Sequence, residues 1–198
     1  MSDALPVAWL VRHGETAWSV AGRHTGLTDL PLTARGEQTA RDLAPRLRGL
    51  AVARVYTSPL LRAAKTCALA GFGDITHSDP DLVEWDYGDY EGLTSREIRA
   101  RRPGWTLFRD GCHGGETLAA VGARADRVVQ RLRAVDGDVL VFSSGHFLRV
   151  LAARWLNEDP SAGRHFVLGT AALCALGYDH DRSEPVIRLW NQLPHALA

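Results

Sequence analysis

An arginine and a histidine stand together at Arg12-His13, followed at once by Gly14. Arginine presents a fixed fork of donors that matches phosphate oxygens, and a neutral imidazole is a competent nucleophile at neutral pH. Side by side they suit an anion that is clamped and attacked. Three residues alone are weak evidence, because a strand that ends in a polar turn yields such a triplet without any chemistry. Two other stretches share its character: Ser58-Pro59 with Arg62, and Ser143-Ser144-Gly145-His146. Arg62 falls in the first turn of the helix expected after Pro59, where the helix dipole prefers negative charge; a bound anion would reverse that penalty. A fourth stretch, 83–92, mixes acids and aromatics without helix or strand period.

The surrounding pattern predicts what positions these groups. Val7 to Val11 is a short continuous apolar run, the signature of a strand covered on both faces. Further strands are predicted over 53–57, 75–82 and 138–142, with a final pair, 171–178 and 185–189, joined by the polar turn 179–183. Residues 15–32, rich in Gly, Thr and Asp, read as a long loop over the first strand end, and long loops in compact folds are usually functional. Helices are predicted after Thr33, with Ala40, Leu43, Leu47 and Leu50 on one face, then after Pro59, and near 95–101. Another follows Thr117, where Leu118, Val121, Ala125, Val128, Val129 and Leu132 repeat at helical spacing, and the last runs through Leu148, Val150, Leu151 and Trp155. Residues 109–117 read as a loop. Strands alternating with helices predict a three-layer α/β/α sandwich with a mostly parallel sheet and an antiparallel edge strand from the last hairpin. Parallel strands share one carboxyl edge, which would gather the three polar strand ends.

Composition narrows the function. With 198 residues, 45% hydrophobic, the chain suits a single domain over 1–198. Lys+Arg and Asp+Glu balance at 23 each, so no global charge points to nucleic acid or a membrane surface, and any anion site is local. Cys67, Cys112 and Cys174 are odd in number and widely spaced, which fits inert thiols in a reducing cytoplasm rather than a disulfide framework. No basic leader with an apolar run and no stretch of about 18 apolar residues is visible, so neither a signal peptide nor a spanning helix is expected. No His/Cys/Asp cluster has metal-ligand spacing, so neither metal nor cofactor is expected. The apolar C-terminal strands could pair across a homodimer or be covered internally.

From Leu10 to Leu32 the sequence LVRHGETAWSVAGRHTGLTDLPL resembles the opening of the histidine phosphatase superfamily, which includes phosphoglycerate mutases and many phosphomonoesterases. Matches continue in order over nearly the whole chain. EWDYGDYEG (84–92), and later 105–112 with Gly115-Glu116-Thr117, resemble its phosphatase branch, including relatives acting on sedoheptulose bisphosphate and small broad-specificity acid phosphatases. The resemblance implies that His13 becomes phosphohistidine while Arg12 and Arg62 hold the phosphoryl oxygens. Ser19 stands where many relatives carry asparagine, with a hydroxyl that can donate to phosphate. Thr25 and Gly26 match a pair whose backbone touches substrate. Glu84 corresponds to the general acid, a role that needs a carboxyl desolvated toward neutrality by neighbours such as Trp85 and Tyr87; a solvated acidic loop is the alternative. Tyr87, Gly145 and His146 complete the expected substrate contacts. Phe108, Arg109 and His113 would line the sugar side or simply order their loop.

One position departs from the family. Its second catalytic histidine corresponds to Ser144, which can donate a hydrogen bond but carries no charge. His146 lies two residues further, too far along the chain to stand in directly. The expected function is hydrolysis of small phosphate esters, sugar phosphates foremost, with phosphoryl transfer weakened at Ser144. Two alternatives remain: a phosphoglycerate mutase, disfavoured because the chain is short after the third strand and at its C-terminal end, and a phosphate-ligand binding module with reduced turnover.

Overall fold

Leu10 and Val11 pack into two different hydrophobic clusters, and so do Val139 and Val141 against Leu140 and Phe142. Alternation between two buried faces is what a central strand under two helical layers requires. The structure, a computed structural model, describes residues 5–194. In chain order it contains β1 (Ala8–Arg12), α1 (Ala17–Val20), α2 (Ala34–Arg41), α3 (Ala44–Leu47), β2 (Val52–Thr57), α4 (Leu61–Leu69), β3 (Thr76–Ser78) and α5 (Ser95–Arg101). These are followed by α6 (Leu107–Asp110), α7 (Leu118–Arg133), β4 (Asp138–Ser143), α8 (Gly145–Trp155), β5 (Leu173–Tyr178) and β6 (Pro185–Gln192).

The six strands form one sheet in the order β3-β2-β4-β1-β5-β6. β3, β2, β4 and β1 are parallel, while β5 runs antiparallel to both β1 and β6. The last hairpin therefore supplies the antiparallel pairing at one side of the sheet. Residues of α7 and α8 belong to one cluster, and Leu43, Leu47 and Cys67 from the α2–α4 region to the other, which gives the three layers. Arg12 pairs with Ser143 and Thr57 with Phe142, so the three polar strand ends do share an edge.

Local differences from the sequence reading have local causes. The loop after β1 contains the single turn α1, made by reciprocal capping between Thr16 and Ser19 and carrying no buried residue; without an apolar face it leaves no periodic signal. The helix expected through Leu50 divides into α2 and α3, with Pro45 in the first turn of α3, although Ala40, Leu43 and Leu47 remain buried. Pro59 lies just outside α4, whose N-cap is Leu60. The strand expected over 75–82 stops at Ser78, because Asp79 accepts from the Asp81 N–H and Pro80 brings no donor for a ladder. The loop expected from 109 begins within α6.

Candidate active site

His13 follows the last residue of β1 and is fixed at both backbone groups: its N–H donates to the Ser143 carbonyl (2.9 Å) and its own carbonyl accepts from Ala171 (3.0 Å). Its ring is 4% exposed, with Nδ1 2.7 Å from the Gly14 carbonyl. A carbonyl can only accept, so Nδ1 carries the proton and Nε2 keeps its lone pair. Among the described residues Nε2 has no hydrogen-bond partner, yet it is not sealed off, because His13 lines a cavity of about 860 Å³. Burial, reinforced by the charges of Arg12 and Arg62, holds the imidazole well below its ordinary pKa, which leaves it neutral and nucleophilic. Gly14 is required by close approach: a Cβ there would stand 2.6 Å from the Gly36 carbonyl oxygen, and one on Gly36 2.1 Å from that of Glu15. The Gly14 N–H donates to Thr66 Oγ1 at 2.9 Å, which ties the turn to α4.

The two expected arginines have different tasks. Arg12 lines the cavity and donates one N–H to the Leu168 carbonyl (2.5 Å). Its Nε lies against Gly145, where an added Cβ would come within 3.0 Å; glycine is what leaves room for the guanidinium. Arg62 is fully buried and is not on the cavity wall. It donates to the carbonyls of Thr25 (3.2 Å), Gly26 (2.7 Å) and Thr28 (3.0 Å), so it braces the loop and lends His13 its charge. Its Nε is buried without a partner among the described residues.

Glu84 lines the cavity, with both carboxylate oxygens engaged by backbone. Oε1 accepts from Trp85 (2.9 Å) and Phe147 (2.8 Å), and Oε2 from His146 (3.0 Å). It thereby caps the N-terminus of α8 from 60 residues away in sequence, the favourable place for a carboxylate. Ser144, the N-cap by position, makes no capping bond, and its hydroxyl is buried without a partner. Ser144 is absent from the cavity lining, whereas Gly145 and His146 are part of it.

Other expected contacts are redistributed. Thr25 lines the cavity, but the Gly26 N–H is taken by the Glu91 carboxylate at 2.8 and 2.9 Å. Ser19 also lines it, though its hydroxyl donates to the Thr16 carbonyl (2.9 Å) and so is not free to donate to an anion. Tyr87 faces the cavity with its hydroxyl 2.6 Å from His146 Nδ1. Phe108 and Arg109 are on the wall; His113 is not, being exposed and bonded to Asp89 (2.6 Å).

Sequence reading missed His24, Arg99, Arg149 and Arg164, all on the wall. Arg149 stacks on Phe108 (4.8 Å to the ring centroid) and holds the carbonyls of Gly163 and Arg164. Among the described residues, Arg12, Arg99, Arg149 and Arg164 make no ion pair, although Arg23 and Arg109 on the same wall do. The one signal available was spacing: Arg149 falls one helical turn after Gly145 and faces the same way. Among the described residues, the group close enough to share a metal ion, Asp179-His180-Glu184, is exposed on the β5–β6 turn, away from the cavity wall.

The chain as a whole has counterparts among known proteins. The family model of the histidine phosphatase superfamily (branch 1) matches residues 8–193. The chain belongs to the histidine phosphatase superfamily. It is 42% identical over 176 residues to an acid phosphatase of Mycobacterium tuberculosis, covering 86% of each chain. Against the sedoheptulose 1,7-bisphosphatase of Saccharomyces cerevisiae it is 37% identical, covering 78% of this chain and 69% of the relative. A solved structure of an open reading frame product of M. tuberculosis superimposes with a TM-score of 0.90 at 37% identity, covering 96% of this chain and 99% of the other. This histidine phosphatase is thus an enzyme of the phosphatase type, and among its described residues no helix is long and apolar enough to cross a membrane.

Proposed function

We propose that this histidine phosphatase hydrolyses small phosphomonoesters, sugar phosphates foremost, through a phosphohistidine on His13. The observation that carries this reading is a neutral imidazole whose one unprotonated nitrogen opens on a cavity holding four arginines without ion-pair partners. Arginines without ion-pair partners on the wall of the cavity onto which His13 opens suit an anionic group in transfer, where fixed charges act most strongly. His13 Nε2 attacks phosphorus, the N–P bond forms, and the P–O bond to the leaving alcohol breaks. Glu84, entering the step in its acid form, gives that oxygen a proton and becomes the carboxylate that the N–H groups of Trp85, His146 and Phe147 hold. It then takes one from the water that attacks phosphohistidine, which releases phosphate and restores His13. Arg12 meets the phosphoryl oxygens, while Arg62 keeps the loop 25–28 in place. The preference for sugar phosphates is supported by the sedoheptulose bisphosphatase relative and by the size and polarity of the cavity.

One observation favours a second reading. The Ser144 hydroxyl, one residue past the Ser143 that holds the His13 backbone, is neither charged nor partnered, so binding could outlast turnover. Phosphate release from sugar phosphates, sugar bisphosphates, 3-phosphoglycerate and an aryl phosphate, at pH 5.5 and 7, separates these outcomes with His13→Ala as blank. Release that disappears in the blank is the expected result. Ligand binding without release points to a binding module, and exchange on phosphoglycerate without net release points to a mutase.

A further inference from the structure

Two imidazoles stand parallel on the cavity wall. The rings of His24 and His146 are within 8° of one plane direction, with centroids 6.1 Å apart, and both residues line the cavity. Each has Nδ1 committed to the protein, but to opposite kinds of partner. His24 Nδ1 lies 2.8 Å from the Leu93 carbonyl, which can only accept; Nδ1 therefore carries the proton and Nε2 a lone pair. His146 Nδ1 lies 2.6 Å from the Tyr87 hydroxyl. Among the described residues that hydroxyl has no other hydrogen-bond partner; with the phenol donating to Nδ1, the arrangement that leaves neither group unpaired, the His146 proton sits on Nε2. Among the described residues neither Nε2 has a hydrogen-bond partner, and neither is sealed from the cavity. The rings are also held in orientation: Trp105 meets His24 edge-on at 5.6 Å, and Phe108 lies against His146 at 5.8 Å. Burial keeps both imidazoles below their ordinary pKa and the Tyr87 phenol well above its own, so both rings and the phenol are uncharged at neutral pH.

We infer that His24 and His146 form a fixed acceptor–donor pair that reads hydroxyl groups on the body of the phosphate ester, making them specificity-determining residues for polyhydroxylated substrates. His24 Nε2 accepts from one hydroxyl and the His146 Nε2–H donates to a neighbouring one. Only a group that can both give and take a proton serves both positions, which is the property of a polyol and not of an alkyl or aryl chain. An alkyl ester would leave two polar groups on the cavity wall without partners from the substrate, and a site built to bond a hydroxyl discriminates against an analogue lacking it. The inference rests on the phosphomonoesterase reading for its reaction but not for its recognition chemistry.

Ribose 5-phosphate and n-pentyl phosphate make the test, because both are primary five-carbon esters and differ in hydroxyls. The wild type is expected to favour ribose 5-phosphate in kcat/KM by tenfold or more. His24→Phe and His146→Phe should each shrink that ratio by roughly 3- to 10-fold. His24→Gln, which keeps an acceptor, should retain part of it, and Tyr87→Phe, which frees the His146 tautomer, should lose less than His146→Phe. Thermal melts identify any variant that fails to fold. A ratio unchanged in both Phe variants, or parallel loss on both esters, overturns the inference. If the wild type hydrolyses neither ester, the phosphatase reading fails. The ratio of their dissociation constants by calorimetry then decides the pairing on the same expectations.

Discussion

β1 and β4 lie side by side and end at the same edge, one in Arg12-His13-Gly14 and the other in Ser143-Ser144-Gly145. At the end of β1 the ring is oriented from next door, His13 Nδ1 by the Gly14 carbonyl. At the end of β4 the local residue fails: Ser144 leaves its hydroxyl unpartnered, and a remote carboxylate, Glu84, takes the free N–H groups of α8. The contrast separates chemistry from architecture. The side chain at 144 can change without costing the helix a cap, because Ser144 makes no capping bond and Glu84 supplies the acceptor. On the proposed mechanism, a change at His13 removes the reaction itself.

The sharpest way to break the comparison is His13→Ala, expected to lower phosphate release by about 10⁴-fold or more, as loss of a nucleophile does. Retained activity would move the nucleophile elsewhere. Ser144→His tests the other strand end: a restored cationic donor should raise kcat by about 100-fold, and an unchanged rate would show that β4 contributes only backbone. Glu84→Ala should strike both functions at once. Three N–H groups would lose their acceptor, costing about 2 kcal/mol in urea unfolding, while turnover falls; loss of turnover with full stability would deny Glu84 its capping role.

Acid sharpens the comparison further. Burial holds His13, His24 and His146 below the ordinary histidine range. The unfolded chain takes up these protons near pH 6.5 and the folded chain does not, so stability is fully present above about pH 6.5 and declines as pH falls. A urea midpoint lower at pH 5.5 than at 7.5 is expected, and a midpoint that rises on acidification would place the rings in solvent. The smallest effect belongs to His113→Ala, which should leave turnover within about twofold since this exposed residue pairs with Asp89 outside the cavity.

What the sequence made legible follows the same division between local and remote. The apolar runs of β1 and β4 and the spacing along α7 are signals carried by neighbours, and they locate the sheet, the layers and the edge where His13 sits. Arg62 was legible as a cation near that edge, but not as a brace, because its carbonyl partners come from a loop 34 to 37 positions earlier. The Gly26 N–H was likewise assigned to substrate until Glu91, 65 residues on, claimed it. His24 carried no signal at all. Its importance lies in a proton position fixed by Leu93, 69 residues away, and no periodicity encodes a tautomer.

The supports of the nucleophile also order events in time. Arg12 leans on the carbonyl of Leu168, 156 positions later, and the His13 carbonyl accepts from Ala171. A ribosome thus makes the reactive imidazole early and its braces long afterwards. During synthesis the histidine waits in an incomplete setting, its neighbouring guanidinium unanchored and β1 lacking one of its two flanking strands. Reactivity arrives only when distant segments close around it, so a chain stopped before Leu168 would carry the nucleophile but not the enzyme.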